Sequence, residues 1–329
     1  MWRWIPLEIA EALQLRFSRG EISKHLSKTK MDTTVALGGK SLNVLIYTNN
    51  PTREEALMLD MELKARSHIS NLCTPWDVDI PPENRGLPKA DLVYVVTPVL
   101  FSGSAFELAN RLITLEEWNR YALLINPLPS LLQSTKAHFT AYCSKLGIPH
   151  PKTLVTENPK KALDFALSLF NQGRQVVIKP LARGEGVGVR LLQPMDPEPM
   201  LRYLFWYSSE YGKGVFYLQE FVENLGYDIR LFIINGQVVA RMRRTTPDDF
   251  RYNLAQGASS EPFEGTDYDL LAIKSTKALG AEVAGVDVMP TQEGAVVMEV
   301  NLYPGFRGLV ATTGIPIPKL LVNYFESLM

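Results

Sequence analysis

Apolar positions after Asn43 fall into short runs that alternate with stretches of helical spacing. Asn43 to Thr48 (NVLIYT), Asp91 to Val96 (DLVYVV) and Leu123 to Ile125 are short β-branched, aromatic or aliphatic runs. They read as buried strands. Between them, Pro51 to Arg66 and Ala105 to Arg120 read as helices. Pro51 and Thr52 open the first, and Glu54 and Glu55 occupy its first turn. This βαβ-like succession predicts a parallel sheet with helices on both faces. No glycine-rich fingerprint follows the first strand, which argues against a dinucleotide there.

From Ser134 the pattern changes. Helices are predicted over Ser134 to Leu146, Pro159 to Asn171, Asp196 to Ser209, Tyr268 to Leu279 and Pro316 to Leu328. The first two are stopped by Gly147 and Gly173. Strands are predicted over Thr153 to Thr156, Val176 to Lys179, Phe216 to Glu220, Asp228 to Ile234, Gln237 to Arg243, Glu282 to Met289 and Ala295 to Asn301. This half reads as α+β with mostly antiparallel strands. The expected organisation is an extension over 1–40, an α/β domain over 41–130, and two further subdomains over 131–213 and 214–329.

The extension carries Trp2, Trp4, Ile5, Leu7, Ile9, Leu13, Leu15 and Phe17 among scattered charges. It reads as an amphipathic helix. Glu8, Glu11 and Arg16 interrupt its apolar stretch and no small-residue cleavage site follows, unlike a signal peptide. Met31 is an alternative start. The balance of 34 Lys plus Arg against 35 Asp plus Glu argues against a nucleic-acid partner. No apolar run reaches the roughly 18 residues that span a bilayer. Cys73 and Cys143 supply neither a disulfide framework nor a cysteine zinc site; reduced thiols and a cytoplasmic location are expected.

Four constellations carry chemistry. In the first, the strand ending at Lys179 runs into Pro180-Leu-Ala-Arg-Gly184-Glu185-Gly186-Val187-Gly188. Alternating glycines let backbone N–H groups approach phosphate oxygens, and a strand-end lysine reaches the same oxygens. A glycine-rich hairpin beside a surface lysine explains the segment equally well.

The second is Asp287, Glu299 and Asn301. Glu299 and Asn301 are two apart on a strand and share a face, and Asp287 lies on the preceding strand. Oxygen donors on one face suit Mg²⁺, while a solvent-facing sheet or an arginine partner is the plainer alternative. In the third, Gln219-Glu220-Phe221-Val222 reads as a strand edge against which an adenine fits, or simply as a strand entering a turn. The fourth is basic. Asp228 and Arg230 share a strand face, Arg241 and Arg243 share a face of the next strand, and Arg244 opposes them. Arg251, Tyr252 and Asn253 follow. Clustered arginines bind carboxylates and phosphates bidentately, although a solvated face explains any one of them.

Taken in order, the lysine–glycine loop, QEFV, YDIR, DFRYN, Ala284-Gly-Val-Asp287, Glu299-Val-Asn301-Leu-Tyr-Pro304-Gly305 and Thr312-Thr-Gly314 resemble the ATP-grasp superfamily. Within it, the resemblance is to RimK-type carboxylate–amine ligases. It implies an α/β protein of ATP-grasp fold, two α+β subdomains gripping ATP, preceded by the parallel-sheet α/β domain. It further implies that Lys136 and Lys179 contact ATP phosphates and that the Gly184–Gly188 loop closes over them. Glu220, Phe221 and Val222 would frame the adenine, with Asp228 near the ribose and Arg251 and Asn253 at the phosphate end. Asp287, Glu299 and Asn301 would hold Mg²⁺, two ions with Mn²⁺ as substitute. Arg230, Arg243 and Arg307 would face the substrate carboxylate and acyl phosphate.

The implied reaction joins a carboxylate to an amine, glutamate by family weight, with release of ADP and phosphate. The resemblance also implies a homo-oligomer, dimer or tetramer. Arg183 and Glu185 depart from the small polar residues of relatives. Tyr303 and Phe306 depart too, and are expected to reshape the acceptor pocket. His25, His68, His138 and His150 are scattered without metal spacing, and no Ser-His-Asp or Cys-His set is evident. A phosphotransferase on the same fold and a non-catalytic nucleotide binder are the rival classes.

Overall fold

The computed structural model of the chain describes residues 41–79, 87–96, 103–181, 186–212, 214–246, 252 and 257–329. The helix expected in 1–40 lies outside the described residues. β1 (Asn43–Tyr47), β2 (Ile69–Cys73), β3 (Leu92–Val95) and β4 (Leu123–Ile125) form an all-parallel sheet in the order β2-β1-β3-β4. Successive side chains of a strand point to opposite faces. Val44 and Ile46 therefore pack with Ala56, Leu59 and Leu63 of α1 (Glu54–Ala65), and Leu45 and Tyr47 with Leu115 and Trp118 of α2 (Ala105–Trp118). Burial on both faces explains why these strands read as continuous apolar runs. β2 was not predicted: it is an edge strand whose polar Ser70 and Asn71 break the apolar pattern.

Three short elements lead to the next layer. β4 is followed by α3 (Leu128–Leu132) and by α4 (Lys136–Leu146), which the Thr135 side chain caps and which ends at left-handed Gly147. β5 (Thr153–Thr156), β6 (Val176–Lys179), β7 (Arg190–Leu192) and β8 (Phe216–Glu220) then form an antiparallel sheet in the order β5-β8-β6-β7. Val176, Ile178, Phe216 and Leu218 bury one face of it under α5 (Pro159–Phe170) and α6 (Pro197–Tyr207). Alternation leaves Lys179, Tyr217 and Gln219 on the other face.

The third sheet is antiparallel, in the order β11-β10-β9-β12-β13. Its strands are β9 (Tyr227–Ile234), β10 (Gln237–Thr245), β11 (Ser259–Pro262), β12 (Val283–Thr291) and β13 (Gly294–Asn301). Ile229, Leu231, Ile233, Val286 and Val288 pack against Ala272 and Leu279, on and just after α7 (Asp269–Ala278). The opposite face is divided along its length. Phe232, Ile234, Ala240, Met242 and Val283 are covered by Phe306, by Leu309 of α8 (Arg307–Thr313) and by Leu321 and Phe325 of α9 (Ile317–Ser327). The other end of that face is charged.

α9 follows the third sheet in sequence, yet it also covers the α1 side of the first sheet. Phe325 lies 5.3 Å from the Tyr94 ring, and Arg66 donates to Asn323 Oδ1 (2.6 Å) and Glu326 Oε2 (3.0 Å). Asn126 ties the first sheet to the third from within. Its Nδ2 donates to the carbonyls of Val283 (2.7 Å) and Leu302 (2.9 Å), and its Oδ1 accepts from the N–H groups of Glu282 (2.8 Å) and Val283 (2.7 Å). Asn126 is 1% exposed, so water cannot replace these bonds. Asn126→Ala is expected to cost about 3 kcal/mol or more, read as a lower urea midpoint without a lower cooperativity slope.

Candidate active site

The charged end of the third sheet is built by strand register. Asp228 and Arg230 are two apart on β9; Arg244 of β10 lies opposite Asp228, and Asp287 of β12 lies opposite Arg230. Arg244 grips Asp228 through Nε–Oδ1 (2.7 Å) and Nη2–Oδ2 (2.6 Å). Its Nη2 also lies 2.9 Å from Asp287 Oδ1, the atom to which Arg230 Nη1 donates at 2.9 Å. Asp228 is 5% exposed and the two arginines 7%. Two acids and two bases neutralise one another here, the condition for keeping such charges buried. Burial pushes the Asp287 carboxyl up, and the two guanidiniums more than offset it, so it stays below the ordinary carboxylate range.

Glycine makes the space. A Cβ on Gly285 would lie 2.2 Å from Arg230 Nη2 and 2.4 Å from its Cζ, so the guanidinium lies directly over this backbone.

Two bulges set which side chains reach this face. The β9–β10 turn, Asn235-Gly236, has φ of 48° and 71° and pairs Ile234 with Gln237. A register shift between Val238 and Ala240 then moves the rest of β10 by one residue, so that Arg244, not Arg243, faces Asp228. On β13, a shift against Asp287 and Val288 pairs Glu299 with Asp287 and Val297 with Val288. Val297 and Val300 thereby both reach the core, while Glu299 and Asn301 share the charged face. The three expected oxygen donors are thus together on one hairpin. Asn301 Oδ1 also accepts the Tyr303 N–H at 2.9 Å. Among the described residues, no group of three or more His, Cys, Asp or Glu side chains is placed to hold a metal.

Two lysines meet these acids from other elements. Lys136 is the first residue of α4, and its Nζ lies 3.1 Å from Glu299 Oε1. Lys179, at the end of β6, donates to Gln219 Oε1 at 2.6 Å. Burial lowers the Lys179 ammonium to about 8; Glu299 and Asp287 oppose that fall and Lys136 adds to it. Each of these groups therefore feels the others across the gap between the second and third sheets.

The glycine segment is partly described. Gly186 and Gly188 adopt φ of 72° and 79°, and Val187 is exposed, while Gly184 and Glu185, like Arg183, lie outside the described residues. The carbonyl of Gly188 accepts from Tyr207 Oη at 2.8 Å, and a Cβ there would lie 2.8 Å from the Tyr211 ring. Tyr211 is carried by a π-turn, Ser208–Gly212, that continues the chain beyond α6. Glu220 pairs with Arg174 (2.5 Å) and its N–H donates to the Lys152 carbonyl; the Phe221 N–H donates to Gln175, and Val222 follows, partly buried. Arg251 and Asn253 lie outside the described residues.

Three of the expected assignments meet a different local geometry. Arg243 is not beside Arg230: it projects from the opposite face and stacks 4.1 Å from the Tyr227 ring, because the bulge reverses its side. Arg307 is exposed at the start of α8 and pairs with Glu54 (2.9 Å). The two are thus not brought together with Arg230. Tyr303 and Phe306 are both buried. Tyr303 is buried with its hydroxyl 3.4 Å from the Leu131 carbonyl, and Phe306 packs edge-on to Phe232 in the core. Sequence reasoning also missed the contacts of Arg244 with Asp228 and of Gln219 with Lys179. Only the position of the β10 bulge distinguishes Arg244 from Arg243, and no residue type marks it.

Gly285→Ala is expected to destabilise the fold by about 1–3 kcal/mol through overpacking. In an Arg230→Ala background the same change should cost much less. Urea unfolding of the four-member cycle measures the difference.

The sequence and the fold both have counterparts among known proteins. The family model described as a RimK-like ATP-grasp domain matches residues 133–325. The chain is 30% identical over 226 residues to the tetrahydromethanopterin:alpha-L-glutamate ligase of Methanococcus maripaludis, covering 67% of this chain and 75% of that protein. It is 33% identical over 186 residues to a probable alpha-L-glutamate ligase of Thioalkalivibrio sulfidiphilus, covering 56% and 60% of the two chains. In fold it is similar to the ATP-grasp ligase PsnB complexed with minimal precursor (TM-score 0.66, 20% identity, 88% of this chain and 100% of that one). It is likewise similar to PsnB complexed with minimal precursor, Mg and ADP (TM-score 0.63, 19% identity, 87% and 98%) and to the D-cycloserine synthetase DcsG (TM-score 0.66, 17% identity, 86% and 99%). The chain belongs to the RimK-like ATP-grasp family of ATP-dependent, ADP-forming carboxylate–amine ligases.

Proposed function

We propose that this protein activates a carboxylate with ATP and joins it to the amine of an amino acid, glutamate in the first instance. The observation that carries the reading is the convergence of Lys136 and Lys179 with Asp287 and Glu299. Cations from α4 and β6 match a polyphosphate, and carboxylates from β12 and β13 match the cation that accompanies it. Two Mg²⁺ ions, for which Mn²⁺ substitutes, would be held by Asp287, Glu299 and Asn301 and would neutralise the charge of the phosphoryl oxygens.

The protein's own groups then do three things. Lys136 and Lys179 hold the phosphates and screen the approach of a second anion. Arg230 and Arg244 keep Asp287 ionised, and Arg230 meets the substrate carboxylate. Gly186 and Gly188 let the backbone approach the phosphates, while Glu220 to Val222 border the base; Asp228, expected near the ribose, is buried against Arg244 and acts by fixing it.

A carboxylate oxygen bonds to the γ-phosphorus as the bond to the bridging oxygen breaks and ADP leaves. The amine nitrogen next bonds to the acyl carbon, the acyl–oxygen bond breaks, and phosphate leaves while the nitrogen gives up a proton. No protein nucleophile is needed. The three sheets correspond, in this reading, to the domain over 41–130 and the subdomains over 131–213 and 214–329. The reading includes a cytoplasmic homo-oligomer. No helix among the described residues is long and apolar enough to cross a membrane.

The test supplies Mg·ATP with a panel of carboxylates and amino acids and separates ADP, AMP and phosphate, with new amides sought by mass. ADP, phosphate and an amide should rise together for a particular pair, and Glu299→Ala should lower the rate by about 100-fold or more. AMP in place of ADP would contradict the reading, as would full activity in Glu299→Ala. ADP formed with an acid and no amine requirement would favour phosphotransfer.

A further inference from the structure

Gln219 belongs to the segment expected to border a base, yet its side chain points elsewhere. It is 1% exposed on β8, directly opposite Thr153 of β5 and diagonal to Lys179 of β6, whose own partner is Tyr217. Its Oε1 accepts from Lys179 Nζ (2.6 Å), and its Nε2 lies 2.9 Å from Thr153 Oγ1 and 3.3 Å from Tyr217 Oη. The direction of each bond follows from chemistry. An ammonium only donates, so the amide oxygen must face Lys179. The Thr153 hydroxyl spends its hydrogen on the Pro151 carbonyl (2.8 Å), so it accepts from the amide nitrogen. Tyr217 Oη continues the chain to Thr140 Oγ1 (3.1 Å) on α4, the helix that begins with Lys136.

We propose that Gln219 is a positioning residue that fixes the Lys179 ammonium for phosphate and links it to the helix carrying Lys136. An amide suits this task where a carboxylate does not. It holds the ammonium in a buried place without cancelling the charge that a phosphate needs. Asp287 and Glu299 attract the same ammonium, and a lysine without Gln219 is free to fall toward them. The inference rests on the reading of Lys179 as a phosphate-binding group.

The test is a binding cycle. Mg·ATP affinity is measured by calorimetry, without acid or amine, for the wild type, Lys179→Met, Gln219→Leu and the double variant, with urea unfolding of each. Gln219→Leu should weaken binding by about tenfold, the scale of one hydrogen bond to a charged group. In the Lys179→Met background it should add nothing, which a merely structural role would not reproduce. The near-isosteric Gln219→Glu should weaken binding at least as much, because its carboxylate neutralises the lysine.

Should Gln219→Leu fail to fold, Gln219→Glu and Thr153→Val, which removes the acceptor behind the amide, carry the test with a graded loss. Unchanged affinity in Gln219→Glu or Gln219→Leu, with Lys179→Met impaired, overturns the proposal while leaving the site reading intact. Multiplying losses in the double variant do the same. Wild-type affinity in Lys179→Met overturns both.

Discussion

A single carboxylate oxygen, Asp287 Oδ1, lies between two buried guanidiniums, and the site depends on that pairing. Arg230 reaches it across adjacent strands, over a backbone that only glycine leaves open. Arg244 reaches it while its other edge is locked to Asp228. Removing Arg244 would take the ion-pair partner from buried Asp228, and removing Asp287 would take it from buried Arg230, losses far more costly than the set is stabilising. The set therefore behaves as a rigid floor. It fixes where the Asp287 carboxylate stands before any ligand arrives, while Glu299 is held by Lys136; such preorganisation is what phosphoryl chemistry requires.

Above this floor, the site is assembled from pieces far apart in the chain. The acids come from one hairpin, Lys179 from the end of a strand in a different sheet, and Lys136 from the first turn of α4. Lys136 and Lys179 would repel each other alone. Glu299 and Asp287 offset that repulsion, and Gln219 adds a neutral hold on Lys179. The first sheet contributes by support. Asn126 binds it to β12, and α9 closes over both it and the apolar end of the third sheet.

Much of this was legible in the sequence. Strands buried on both faces gave unmistakable apolar runs, and the stop at Gly147 marked the end of α4. The two-residue spacing of Glu299 and Asn301 placed them on one face correctly. What failed did so for physical reasons. Edge strands such as β2 and short ones such as β7 and β11 bury too little to show a pattern. The bulge at Val239 exchanged the sides of Arg243 and Arg244, so Arg244 and not Arg243 shares the face of Asp228 and Asp287. Tyr303 and Phe306 flank a motif-bearing loop, and only tertiary packing shows that they point into the core. Gln219 looked like a strand residue because its partners lie on neighbouring strands.

On the proposed function, the divided face of the third sheet and the two lysines opposite it form one site for a nucleotide and its metal. The most direct measurement is a crystal structure with a non-hydrolysable ATP analogue and Mn²⁺, whose anomalous scattering marks the ion. An anomalous peak bounded by Asp287 and Glu299 is expected, with phosphate oxygens at Lys136 and Lys179. A peak on the opposite face, beside Arg241 and Asp269, or a triphosphate that touches neither lysine, would contradict it.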